Sequence, residues 1–175
     1  MILTDAAKAA PLLFVAVIVQ VSILSRVDIL HGRPELLLVT VIAVALLRGA
    51  VFGAVAGFCA GFVADTGTFA TLGFTSLLLT LAGYWTGRYG ETTGRDRAHA
   101  PMLSAAVVTA LYQLCSLIVH FMLGDPAPAR EVLLNGLVPT VFLNLLLMFP
   151  VYAVVRRILR PREWIERARE VRLLG

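Results

Sequence analysis

Long apolar stretches separated by short polar segments dominate this sequence. The apolar stretches cover residues 11–24, 36–64, 72–87, 101–123 and 132–155. Because a backbone in lipid must satisfy its own hydrogen bonds, such stretches predict membrane-spanning helices. The first stretch has no small-residue cleavage site after it, so we expect a retained helix rather than a secretory signal peptide.

The stretch at 36–64 is interrupted only by Arg48, which directly precedes Gly49. One helix of this length would extend about 43 Å, well beyond a hydrocarbon core of about 30 Å, and would bury the arginine. Two helices, at 36–47 and 49–64, instead place Arg48 and Gly49 at a turn near the lipid headgroups. We therefore predict an all-α polytopic membrane protein with about six transmembrane helices, and five is the alternative.

Composition supports a membrane protein and excludes other classes. The 175 residues are 59% hydrophobic and 15% charged, whereas soluble domains are about 45 to 50% apolar and about 25% charged. A soluble globular protein and a disordered chain are both excluded. The net charge of +4 does not indicate nucleic acid, because seven of the fifteen basic residues follow residue 155 and flank the last apolar stretch.

Basic residues also predict the orientation. Six spans with a cytoplasmic N-terminus put twelve basic residues inside and three outside; five spans also put twelve inside, so the positive-inside rule does not choose between them. Both arrangements leave the C-terminus in the cytoplasm. We predict one transmembrane domain at 1–160 and a cytoplasmic amphipathic tail at 161–175 on the membrane surface. The predicted surface anchors are Arg156, Arg157, Arg160 and Trp164.

Glycine recurs at every fourth position within the longest apolar stretch, at Gly49, Gly53, Gly57 and Gly61. This spacing puts the glycines on one helix face, with Asp65 next in register. Such a face lets a second helix approach until the backbones touch, which is a main source of helix association in lipid. We predict packing within the protein's own bundle; the alternative is a subunit interface, such as that of a homodimer.

The sequence Asp65-Thr66-Gly67 also matches the motif around the catalytic residue of aspartic proteases. Those enzymes need two aspartates that share a proton, and this chain has one copy at the end of a helical stretch. We predict that Asp65 lies at the outer interface and caps or braces the turn at 66–68. Contact with a partner is the alternative.

The remaining polar residues of the spans predict structure rather than chemistry. Gln20, Gln113, Asn135 and Asn144 are expected to form hydrogen bonds between helices. His120 has no second ligand residue near it, and the two cysteines, Cys59 and Cys115, are expected to be buried packing residues. No catalytic, cofactor-binding or metal site is predicted.

One segment carries a family resemblance. Residues 57–65, GFCAGFVAD, are followed by Leu72-Gly73 and then by an apolar helix that ends at Gly83-Tyr84. This order, the chain length and the all-membrane layout resemble the rod shape-determining protein MreD family. A Pro often precedes the Leu-Gly pair in that family, and this chain has Thr71 there. The resemblance adds Leu72 and Gly73 to the candidate helix-packing or partner-interface residues.

The resemblance implies a non-enzymatic scaffold of the bacterial inner membrane that takes part in cell-wall elongation and has no cofactor. The implied partners are MreC and, with it, MreB, RodA and a penicillin-binding transpeptidase. The family's fold resembles the six-helix substrate-binding subunits of energy-coupling factor transporters. The alternative function is therefore a small-ligand-binding subunit of such a transporter. It would need a polar cavity near the outer face, lined by Gln20, Gln113 and Asn144, whereas a scaffold needs a filled core and helix-sized grooves outside.

Overall fold

The structure, a computed structural model, describes residues 2–24, 32–68, 72–93, 100–122 and 136–159. The described residues form six α-helices, which confirms the predicted all-helical architecture: α1 Ile2–Ser22, α2 Leu36–Arg48, α3 Ala50–Thr68, α4 Phe74–Thr93, α5 Ala100–Met122 and α6 Leu137–Ile158. Three of them, α3, α5 and α6, are long and apolar enough to cross a membrane. The chain is thus a helical membrane protein, and the exact number of spans stays a prediction.

The predicted break in the longest apolar stretch is present, because α2 ends at Arg48 and α3 begins at Ala50. Gly49 joins them with φ 96° and ψ 179°, a conformation that essentially only glycine adopts. One residue is therefore enough to reverse the chain. The Arg48 guanidinium donates a hydrogen bond of 2.9 Å to the Leu159 carbonyl, which satisfies a free carbonyl at the end of α6.

Helix α2 is the centre of the bundle and contacts each of the other five helices. Every residue from Leu37 to Leu46 is buried, as expected for a helix that is apolar on all sides. Its thirteen residues extend only about 20 Å, less than a hydrocarbon core of about 30 Å. The start of α2 therefore lies inside the bundle rather than at its surface.

A non-helical segment, residues 32–35, leads into α2 alongside α6. Gly32 packs against Pro139 so closely that an added β-carbon would lie 2.8 Å from the proline side chain. The Arg33 N–H donates to Thr140 Oγ1 at 3.2 Å, and the Glu35 N–H donates to Asn144 Oδ1 at 2.8 Å. Side chains of α6 thus satisfy the backbone N–H groups of this non-helical segment, which is what irregular backbone within a membrane protein requires.

The bundle has two ends, named here after the residues at the two ends of α3. The Arg48 end carries the starts of α1, α3 and α5, and the Asp65 end carries the starts of α2, α4 and α6. Of six basic residues that the structure describes, all except Arg33 lie at the Arg48 end: Lys8, Arg48, Arg88, Arg156 and Arg157. This segregation is the one expected if the Arg48 end faces the cytoplasm.

Candidate functional site

Helices α3 and α4 pack with their backbones in direct contact. Gly53, Gly57 and Gly61 lie on the face of α3 that meets α4. A β-carbon on Gly61 would lie 2.5 Å from the Ser76 Cα, and one on Gly57 would overlap the Leu79 carbonyl. The structure therefore places these three glycines inside the protein's own bundle, where α4 covers them.

Helix α4 contributes matching glycines to this contact. A β-carbon on Gly83 would overlap the backbone of Gly53, and one on Gly87 would overlap that of Gly49. Gly49 itself is the joint between α2 and α3 rather than a residue of α3, and its backbone meets α4 at Gly87.

Asp65 is fully buried, with 0% of its surface exposed. Its carboxylate accepts hydrogen bonds from the backbone N–H groups of Gly73, Thr75 and Ser76, at 2.9, 3.2 and 3.3 Å. These N–H groups have no acceptor within α4 because they lie at its start, where the helix dipole also favours a negative charge. Asp65 is therefore a cap supplied by the preceding helix.

The predicted role of Asp65 as a brace for the turn at 66–68 is wrong, because α3 continues through Thr68 and no turn exists there. Direct contact with a partner is also incompatible with the complete burial of this side chain. Local sequence reasoning looked for a cap partner within a few residues, whereas the donors are eight to eleven residues away.

Glu91 repeats this arrangement at the opposite end of the helix pair. Its Oε1 accepts a hydrogen bond of 2.9 Å from the Ala50 N–H at the start of α3. Each helix of the pair thus receives a carboxylate from the other at its own N-terminus. Charge-assisted hydrogen bonds therefore join the two helices at both ends of their glycine contact.

The Leu72-Gly73 pair leads into α4. Gly73 has φ 91°, its N–H binds Asp65, and its carbonyl accepts the Leu77 N–H at 2.9 Å. Glycine is favoured here because other residues are strained at positive φ. Leu72 is 68% exposed, so it faces the surroundings of the bundle.

Replacing Gly73 with alanine is expected to cost only the strain of the left-handed backbone, about 1 to 2 kcal/mol. A β-carbon there would have no atom within 4 Å, so no steric cost adds to the strain. Thermal unfolding of the purified variant measures the loss. Wild-type stability of Gly73→Ala would contradict a requirement for positive φ.

A cluster of polar side chains surrounds the start of α2. The Gln20 side chain donates to the Pro34 carbonyl at 3.3 Å and accepts from the Leu37 N–H at 3.5 Å. The Asn144 amide donates to Thr109 Oγ1 at 3.2 Å, and the Gln113 amide donates to Glu35 Oε1 at 3.3 Å. Gln20, Gln113 and Asn144 thus form the predicted contacts between helices. Asn135 lies outside the described residues, as does the side chain of His120.

Sequence reasoning missed Glu35, the residue at the centre of this cluster. Glu35 lies in the polar segment between the first two apolar stretches, and such segments are usually loops. The available signal was its position, since Glu35 directly precedes the start of α2, whose residues are almost all buried.

An apolar groove of about 530 Å³ runs between α1 and α3 on the outside of the bundle. Small residues form much of its wall, including Ala6 and Ala10 of α1 and Cys59 and Ala60 of α3. Cys59 is exposed and Cys115 is half-buried, so the predicted burial of both cysteines is wrong. The larger lining residues Phe14, Val55 and Val63 are also exposed.

The predicted membrane-surface anchors are only partly described. Arg156 and Arg157 are exposed in the last turn of α6, at the Arg48 end. Arg160, Trp164 and the tail at 161–175 lie outside the described residues.

Comparison with known proteins identifies the family. No curated protein and no solved structure matches this chain significantly, so the similarity to energy-coupling factor subunits stays a prediction. The family model described as rod shape-determining protein MreD matches residues 8–162. This match includes α2 to α6 in full and most of α1. Because it covers most of the chain, the protein belongs to the rod shape-determining protein MreD family.

Proposed function

We propose that this protein is a non-enzymatic scaffold of the cell-wall elongation machinery in the bacterial inner membrane. Family membership implies a role in determining rod shape. The proposal adds a mode of action: the membrane-spanning helix of MreC docks in the apolar groove between α1 and α3. Through MreC the protein is linked to MreB, RodA and a penicillin-binding transpeptidase.

The groove is the observation that carries the proposal. Its lining runs from Ala6 to Val17 on α1 and from Phe52 to Val63 on α3, so each wall is roughly 17 Å long at 1.5 Å per residue. Small side chains in the walls allow another helix to approach closely, and in lipid such packing drives association. The groove therefore has the chemistry to hold about three turns of an apolar helix.

The polar cluster supports the scaffold over the transporter subunit. A small polar ligand would need free donors and acceptors from Gln20, Gln113 and Asn144. In the structure these side chains already form hydrogen bonds with other residues of the protein. Their partners are Pro34 and Glu35, which precede α2, and Thr109 of α5. The centre of the bundle is also filled, because α2 is buried from Leu37 to Leu46.

The proposal assigns the Arg48 end to the cytoplasm. Five of the six described basic residues lie there, in agreement with the positive-inside rule. Arg156 and Arg157 then lie at the cytoplasmic headgroups, and the tail at 161–175 follows them. In this orientation, the cap formed by Asp65 lies toward the outer face of the membrane.

Site-specific photo-crosslinking in native membranes tests the docking site. The crosslinking residue is placed at Val55 in the groove or, as a control, at Leu111 on α5; these side chains are 58% and 54% exposed. We expect MreC to be captured from position 55 and not from position 111. Equal capture from the two positions, or capture of MreC from neither, would contradict docking in the groove.

Filling the groove is expected to weaken the same contact. Ala10 is exposed in the groove, so Ala10→Leu occupies the space of a docking helix without disturbing the core. Ala153 on α6 is also exposed and lies outside the groove, which makes Ala153→Leu the matched control. We expect about a tenfold loss of co-purified MreC in Ala10→Leu, corresponding to about 1.4 kcal/mol, and wild-type recovery in the control. The two variants should accumulate equally in the membrane.

A further inference from the structure

Glu35 is an acidic residue that the scaffold function does not use. It directly precedes α2, and its backbone N–H binds Asn144. Since Asn144 lies about two turns after the start of α6, Glu35 lies at the same depth within the bundle. Its side-chain oxygen Oε2 is buried and has no hydrogen-bond partner. Acidic residues inside a membrane protein are rare, and they commonly mark functional sites.

The groups around this carboxyl are neutral. Oε1 accepts one hydrogen bond from the Gln113 amide on α5. The elements on the other sides contribute Gln20 from α1 and Asn144 and Thr140 from α6, and these bind the backbone of residues 33–37. Among the described residues Glu35 forms no ion pair: its backbone N–H binds Asn144, and its Oε1 binds Gln113.

The titratable and charged groups near Glu35 do not neutralise a negative charge. Among the described residues, α5 contributes Tyr112, a phenol that cannot supply a positive charge. Arg33 on the preceding segment is exposed, and its N–H binds Thr140. Glu35 does not cap α2 with its side chain either, because Gln20 accepts the Leu37 N–H.

An ionised carboxylate in this setting would be costly, because a buried charge needs a partner charge or several hydrogen bonds. Oε2 is already enclosed by protein, so the group that neutralises it must fit without displacing any side chain. A proton bound to Oε2 meets this condition.

We propose that the Glu35 carboxyl carries a proton in the folded protein and acts as a pH-sensitive latch between α2 and α5. In the neutral form, Oε1 keeps the hydrogen bond from Gln113 and no charge is buried. Loss of the proton to the solvent leaves a buried negative charge with one neutral donor, which favours separation of the start of α2 from α5.

The sign of the pH effect follows from proton binding. A glutamate in an unfolded chain has a pKa of about 4.3 and has released its proton at neutral pH. The folded protein then binds one more proton than the unfolded protein, so its stability falls as the pH rises. Below about pH 4 both forms hold the proton, and the dependence due to Glu35 disappears.

Infrared spectroscopy of the protein in lipid nanodiscs at neutral pH tests the protonation directly. We expect the wild-type protein to show the carbonyl stretch of a protonated carboxylic acid and E35Q to lack it, because Gln has a similar shape but no acid group. E91Q is the control and should keep the band, since Glu91 is a partly exposed carboxylate at the Arg48 end. A wild-type spectrum without an acid band, or a band that E35Q retains, would overturn the proposal.

Thermal unfolding against pH tests the latch. Between about pH 6 and about pH 9 the wild-type Tm is expected to fall by about 5 °C more than that of E35Q, and E91Q should follow the wild type. Identical pH profiles for wild type and E35Q would exclude the latch. The experiment is independent of MreC binding, so either proposal can fail while the other stands.

Discussion

Gly57→Leu is expected to abolish the folded protein, because a leucine side chain there blocks the backbone contact between α3 and α4. Even the first atom of a side chain at Gly57 would overlap the carbonyl of Leu79. The atom in the way belongs to the backbone of α4, which moves only if the two helices separate. Overpacking usually costs about 1 to 3 kcal/mol when side chains can adjust, and we expect a larger loss here. Total stabilities are only about 5 to 15 kcal/mol.

Protein abundance in the membrane and the Tm of the purified protein measure this effect. Gly67→Leu is the matched control on the same helix, because a β-carbon at Gly67 would lie 3.8 Å from Val21, an ordinary contact distance. Gly57→Ala should fall between the two. If Gly57→Leu accumulated normally and had the wild-type Tm, the glycine contact would not stabilise the bundle.

The packing of α3 could be predicted from sequence because it depends on local spacing. Glycines four residues apart share a helix face whatever their partner is, and Gly53, Gly57 and Gly61 do share one. The identity of the partner could not be read in the same way. Helix α4 covers these glycines because of the connection between the two helices and because Gly83 lies opposite them. Gly83 and Gly87 form a single four-residue repeat, which is too common in membrane helices to identify a partner.

The break at Gly49 was also predictable, since two independent constraints agree there. A helix over the whole stretch would be too long for a bilayer and would bury Arg48. The sequence did not reveal that α2 begins deep inside the bundle. This depth depends on Thr140 and Asn144, about one hundred residues away along the chain, which satisfy the backbone of residues 33–35.

The surroundings of Glu35 could not be predicted from the local sequence either. Charged residues between apolar stretches are usually exposed, so the sequence pattern favours a loop at Glu35. Its burial follows from where α5 and α6 lie around α2, and no local pattern contains that information. The groove between α1 and α3 likewise depends on how two non-adjacent helices pack.

Asp65→Ala is expected to cause the second largest loss of stability. It leaves the N–H groups of Gly73, Thr75 and Ser76 without the acceptor that they share. Each unsatisfied buried donor costs about 1 to 3 kcal/mol, and the favourable interaction of the charge with the helix dipole is lost as well. Relaxation at the start of α4 offsets part of this, so we expect a net loss of about 3 kcal/mol.

Two further variants isolate the contribution of the Asp65 cap to stability. Asp65→Asn keeps one acceptor oxygen but loses the charge, so its stability should lie between those of Asp65→Ala and the wild type. Thr66→Ala removes only an exposed hydrogen bond to the Val63 carbonyl and should change stability by less than about 0.5 kcal/mol. Unfolding in mixed detergent micelles gives the three free energies. Equal stability of Asp65→Ala and Thr66→Ala would show that α4 does not depend on the cap.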